Sequence, residues 1–125
     1  MPTEILISSR FGTDFDRLDK RYPRIGEVVL ALVRQLQAGQ TPGERISLAH
    51  YSKKAARRFQ QLYGHIYKVR LPAPSKERGK SAGHRLIYFH DPDASTYILL
   101  TLYTKSDAAD MTSEQLIALL RELTD

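Results

Sequence analysis

Three β-rich runs, His65 to Leu71 (HIYKVRL), His84 to His90 (HRLIYFH) and Thr96 to Lys105 (TYILLTLYTK), constrain this chain more than any other feature. Each is bounded by turn residues: Gly64, then the Pro72–Gly83 loop, then Asp91-Pro92-Asp93. That pattern predicts three consecutive strands, for which an antiparallel meander is the economical arrangement. Glu4 to Ser8 (EILIS) is a further short apolar run suited to a strand.

The segments between are helical in period. Phe11, Phe15, Leu18 and Tyr22 recur at spacings of three and four after a candidate N-cap at Thr13, and Pro23 ends the pattern. Ile25, Val28, Val29, Leu32, Val33 and Leu36 keep the 3.6-residue period up to Gly39, a suitable residue just past a helix end. Thr41-Pro42-Gly43 reads as a turn. Ser52 to Leu62 reads as another helical turn or two, and Thr112 with Gln115 forms a capping box ahead of the stripe Leu116, Ile117, Leu120 and Leu123. The expected fold is a single α+β domain over 1–125: an antiparallel sheet with a helical hairpin and a C-terminal helix, in the order β-α-α-β-β-β-α. A chain of 125 residues is long enough to bury one core without disulfide or metal support.

Composition narrows the chemistry. There is no cysteine, so disulfides, thiol catalysis and cysteine-ligated metal centres are excluded, and a reducing compartment is expected. No apolar run approaches bilayer length, and the first ten residues lack a signal-peptide pattern, which makes the cytoplasm the expected location. The net charge of +5 is segregated. Residues 1–40 carry six cations and five anions, 41–90 carry eleven and two, and 91–125 carry two and seven. A middle of +9 beside an end of −5 points to a basic working surface for a polyanion, against the plainer reading of a solvated face.

Strand alternation divides each run into two faces. Tyr67, Val69 and Leu71 separate from Lys68 and Arg70. Leu86 and Tyr88 separate from Arg85, Ile87 and Phe89. Ile98, Leu100 and Leu102 separate from Tyr97, Leu99, Thr101, Tyr103 and Lys105. If the apolar sets share the helix-facing side, the opposite side gathers Lys68, Arg70, Arg85 and Lys105 among Phe89, Tyr97 and Tyr103. Such a cationic cleft with aromatic walls suits RNA, with cations on phosphates and rings on unpaired bases. Phe89, Tyr97 and Leu99 equally suit packing under a loop or partner. Lys53 with Arg57 and Lys54 with Arg58 stack like charges at i,i+4, which is unfavourable unless an anion compensates. Lys76, Arg78 and Lys80 lie on the Gly-containing loop, which lacks the spacing of a P-loop. His50, His65, His84 and His90 leave a histidine-based ribonuclease open as a rival, with scattered positions against it.

Tyr-Lys-Val-Arg-Leu at 67–71, a basic loop, Gly-His-Arg-Leu-Ile-Tyr at 83–88, and Leu-Tyr-Thr-Lys-Ser-Asp at 102–107 before a terminal helix resemble the RelE branch of the RelE/ParE toxin superfamily. The Lys-rich loop ending in Gly-Lys-Ser-Ala-Gly is similar to its HigB-like subgroup, and the likeness covers nearly the whole chain. The resemblance implies a toxin of a type II toxin–antitoxin module that cleaves mRNA, generally on the ribosome, and is held inactive by a cognate antitoxin protein. It implies no metal and no cofactor: the substrate's own 2′-OH attacks the adjacent phosphate.

Carried onto this chain, the resemblance gives Lys68, Arg70, Arg85, Tyr103 and Lys105 as the catalytic set. Lys53, Lys54, Arg57, Arg58, Lys76, Arg78, Lys80 and Phe89 are the RNA-binding set read from the residues themselves. Arg85 is placed to stabilise the phosphorane, since a guanidinium grips two phosphate oxygens, and Lys68 is the candidate general base. The chain departs from the family at Ser106 and in an acidic terminal helix without Tyr or His, so the general acid has no assigned residue. His84 replaces the tyrosine of a Gly-Tyr-Arg motif, and alternation assigns it to the packed face. The competing class is a non-hydrolytic binding module, either a ParE-like gyrase inhibitor or a simple RNA-binding sheet.

Overall fold

A computed structural model of the chain describes residues 3–46, 53, 57, 65–71, 83–104 and 112–124. Ser8 opens the first helix: its Oγ accepts from Phe11 N at 3.0 Å and donates to the Leu100 carbonyl at 2.8 Å. The serine therefore starts the helix and ties it to the sheet. It replaces the expected cap at Thr13, which lies inside α1 (Ser9–Arg21). The strand before it is β1 (Glu4–Ile7), and α2 (Ile25–Gln37) follows Pro23; just past its end stands Gly39, whose φ of +83° is the left-handed turn that glycine adopts freely.

A two-residue strand β2 (Glu44–Arg45) precedes the meander of β3 (His65–Leu71), β4 (His84–Asp91) and β5 (Thr96–Thr104). The last helix, α3 (Ser113–Thr124), carries the expected capping box: Thr112 N donates to Gln115 Oε1 at 2.9 Å, and Gln115 N donates to Thr112 Oγ1 at 3.2 Å. Apart from its helical residues Lys53 and Arg57, the segment expected to be helical at 52–62 lies outside the described residues, as does the basic loop before Gly83. Among the described residues no helix is long and apolar enough to cross a membrane.

The fold is α+β, with one five-stranded sheet in the order β1-β5-β4-β3-β2. The meander is antiparallel as expected. The sheet as a whole is mixed, because β1 runs parallel to β5, with Glu4 beside Thr96 and Ile7 beside Leu99. The chain leaves β1 through the Ser8 cap, and Ser8 N donates to the Leu99 carbonyl at 3.0 Å. That anchorage holds β1 alongside β5 and turns α1 back over the sheet.

Each sheet face carries a core. Val69, Leu71, Leu86, Tyr88, Tyr97, Leu99 and Leu102 meet Phe11, Leu18, Ile25, Val29, Leu32 and Leu36 of α1 and α2. Ile66, Ile87, Phe89, Leu100 and Tyr103 meet Leu116, Ile117, Leu119 and Leu120 of α3. The face opposite the helical hairpin is thus covered in large part by the terminal helix.

Pairing of β4 with β5 shifts between Ile87, opposite Thr101, and Tyr88, opposite Leu99, leaving Leu100 as an extra residue. This bulge divides β5. Tyr97 and Leu99 join the helical-hairpin core, while Ile98, Leu100 and Tyr103 join the α3 side, so uniform alternation fails on this strand. Asp14 of α1, 4% exposed, secures the region by accepting from Thr101 Oγ1 at 2.5 Å, Leu102 N at 3.3 Å and Arg10 Nε at 3.1 Å.

Candidate functional site

Antiparallel register brings three of the expected catalytic residues into one row: Arg70 of β3 faces Arg85 of β4, which faces Tyr103 of β5. Lys68 stands two residues along β3 on the same face, opposite Ile87. On its other side it meets Glu44 of β2, an acidic residue that the sequence pattern left unassigned. The row is shaped by the bulge: without the extra residue at Leu100, Leu102 would stand opposite Arg85 in place of Tyr103.

The members differ in access. Arg70 is exposed and Lys68 is half-buried, whereas Arg85 and Tyr103 are each 7% exposed. The Arg85 guanidinium donates to the Gly83 carbonyl at 3.3 Å, which fixes the side chain near the start of β4. Tyr103 belongs to the α3 core. The row is therefore a partly covered cationic strip whose open end is Arg70.

Two of the expected aromatic walls do not line an open cleft. Phe89 is 7% exposed and fills the core beneath α3, so its ring is not presented for base stacking. Tyr97 is on the opposite face, donates its hydroxyl to the Gln40 carbonyl at 3.2 Å, and stacks on His90 at 4.3 Å between ring centroids. Tyr67 and Tyr88 extend that stack at 5.2 Å, and the Tyr88 hydroxyl donates to the Pro42 carbonyl at 2.7 Å. Burial, reinforced by the neighbouring Tyr67, raises the phenols of Tyr88 and Tyr97 above the ordinary tyrosine range. These rings hold the end of the hairpin to the sheet.

Lys53 and Arg57 are both helical and exposed. Lys54, Arg58, Lys76, Arg78, Lys80 and Lys105 lie outside the described residues. His84 is fully buried, with its ring edge-on to Tyr22 at 4.8 Å, in keeping with the packed position assigned to it. His65 and His90 face each other across β3 and β4 on the helical-hairpin side, away from the arginine row, so the described histidines do not converge on it. Burial first and His65 second lower the His90 pKa from the ordinary imidazole value, while Asp91 opposes the shift. Among the described residues no three His, Asp or Glu side chains gather to hold a metal ion.

A cavity of about 530 Å³ lies between α2 and the C-terminal end of β3, with Val28, Leu32, Val69 and Leu71 as apolar lining residues and Glu27 and Arg70 as charged ones. Sequence spacing gave no signal for it, because its two sides are far apart in the chain. The Asp14 network had a weak signal in the i,i+4 pair Arg10 and Asp14. In comparisons with known proteins, the chain matches no family model and no curated protein.

Proposed function

We propose that the chain is a RelE-like toxin of a type II toxin–antitoxin module, acting as a metal-independent endoribonuclease on mRNA at the ribosome. The observation that carries this reading is the cross-strand row Arg70, Arg85 and Tyr103, with Lys68 on the same face. Two guanidinium groups on adjacent strands suit a scissile phosphate and the additional charge it gains in a pentacoordinate state. In the proposed reaction Lys68 takes the proton of the 2′-OH, and the 2′-oxygen forms its bond to phosphorus. The bond to the 5′-oxygen breaks, that oxygen takes up a proton, and the products are a 2′,3′-cyclic phosphate and a 5′-hydroxyl. Tyr103, directly opposite Arg85, is the hydroxyl of the row suited to that last proton transfer. An antitoxin protein neutralises the toxin, and the +9 middle of the sequence favours an acidic partner segment.

Primer extension on a translated mRNA, with and without ribosomes, tests the reading: discrete new 5′ ends should appear only with the protein and should depend on Arg85. A second reading, a binding module without hydrolysis, is favoured by the 7% exposure of Arg85 and Tyr103, which leaves little of either side chain in reach of a substrate. Ribosome or RNA binding without cleavage, where a known ribosome-dependent nuclease cuts, would select it.

A further inference from the structure

Among the described residues, β1 is an outer strand of the sheet, paired with β5 on one side and with no strand on the other. Glu4 N donates to Ser95 O and Ser8 N to Leu99 O, each at 3.0 Å. Because successive residues of a strand turn their backbone groups to opposite sides, Glu4, Leu6 and Ser8 bond toward β5, and the N–H and C=O of Ile5 and Ile7 point outward. Exposed strand edges in soluble proteins are commonly blunted by Lys, Pro or a bulge. Here the edge reads Glu-Ile-Leu-Ile, and Leu6 and Ile7 are 44% and 61% exposed.

We infer that β1 pairs with β1 of a second copy of this chain, antiparallel and centred on Leu6, joining two sheets edge to edge. The backbone pattern is self-complementary about that centre. Ile5 of one copy meets Ile7 of the other with the outward groups of both directed at each other, and Leu6 meets Leu6 as a pair that exchanges no backbone bonds. Both exposed side chains then gain apolar neighbours, Leu6 on one face and Ile7 against Ile5 on the other.

Charge agrees with the same register. It sets Glu4 opposite Ser8 of the second copy, the cap of a helix whose first turn holds no acidic residue. A carboxylate is favourable at a helix N-terminus, so each copy supplies the charge that the other lacks. With only four strand residues a side, the contact belongs to the small, concentration-dependent class of interfaces. The inference does not depend on the proposed nuclease activity.

The absence of cysteine from the sequence makes the register directly testable in this chain. In an antiparallel pair without mutual backbone bonds the Cα atoms stand about 4.5 Å apart, within the span a disulfide bridges. Leu6→Cys should therefore oxidise to a covalent dimer, and Leu30→Cys, similarly exposed at 48% but on α2, should do so at least ten-fold more slowly. In sedimentation equilibrium the wild-type chain should move from monomer toward dimer as concentration rises, and Ile7→Lys should weaken that association at least ten-fold with an unchanged melting temperature. Equal cross-linking rates for the two cysteine variants would overturn the inference. So would a wild-type chain that stays monomeric at all concentrations, which would leave the edge to a strand from another protein.

Discussion

Arg70 and Arg85 stand directly opposite one another across β3 and β4. Like charges in that position repel, and the usual cost of an unfavourable cross-strand pair is about 0.2–1 kcal/mol. Under the proposed function this strain is retained because a phosphate relieves it. Arg70→Gln should therefore raise stability by a few tenths of a kcal/mol, measured by urea unfolding, while weakening RNA cleavage. A variant that is both less stable and fully active would show that the pair is structural.

Arg85→Ala tests the chemistry. Losing one preorganised donor to a developing negative charge costs about 10²–10³ in rate, so cleavage should drop by that factor, with most ribosome or RNA affinity retained through other cations. Because Arg85 is buried, a thermal melt and the Arg85→Lys variant must accompany it. Lysine keeps the charge and loses the two-pronged grip, so partial activity is expected. Cleavage at the wild-type rate in Arg85→Ala would remove Arg85 from the mechanism.

Asp14 governs the same row from beneath. Asp14→Ala would leave the Thr101 hydroxyl and the Leu102 N–H without their buried acceptor, at about 1–3 kcal/mol for each group. A double-mutant cycle with Thr101→Val should return a coupling of about 0.5–3 kcal/mol. If the two changes are additive in urea unfolding, the bulge is held by packing alone.

The legible parts of the fold were those written locally. The β-rich runs and their turn residues gave β3, β4 and β5 to within a residue at each end, and the Thr112–Gln115 capping box marked the start of α3. What escaped depends on contacts across most of the chain. Ser8 bonds Leu100 at a separation of 92 residues, and Asp14 bonds Thr101 at 87. Those two contacts accompany the parallel placement of β1 and the bulge that removes Tyr97 from the cationic face. Alternation places Arg70, Arg85 and Tyr103 on one face, and it holds for Tyr103 only in the part of β5 after the bulge, where Leu102 turns to the helical hairpin; before the bulge it fails for Tyr97 and Leu99. Phe89 was correctly placed on that face too, but no local pattern showed that α3 would cover it.

Gly43 is a backbone requirement. Its φ is +95°, and a Cβ built there would come within 2.5 Å of the Lys68 carbonyl oxygen and 2.9 Å of Val69 Cβ. Neither neighbour moves without disturbing β3. Gly43→Ala should destabilise the protein by more than the ~1 kcal/mol of a left-handed alanine alone, seen as a lower urea midpoint. An unchanged midpoint would show that the turn before β2 rearranges freely.

The His90 imidazole links stability to pH. It stacks on Tyr97 of β5, faces His65 of β3 and adjoins Asp91, and its pKa in the folded chain lies below the unfolded value near 6.5. A lowered folded value means that the unfolded chain binds more protons in that window. The stabilisation is therefore present in full above about pH 6.5 and is lost as pH falls from there through the lower folded value. Urea midpoints should decline between pH 7.5 and pH 5.5, and His90→Phe, which keeps a ring against Tyr97 but cannot titrate, should show a shallower decline. An identical pH slope in wild type and His90→Phe would assign the acid sensitivity to other groups.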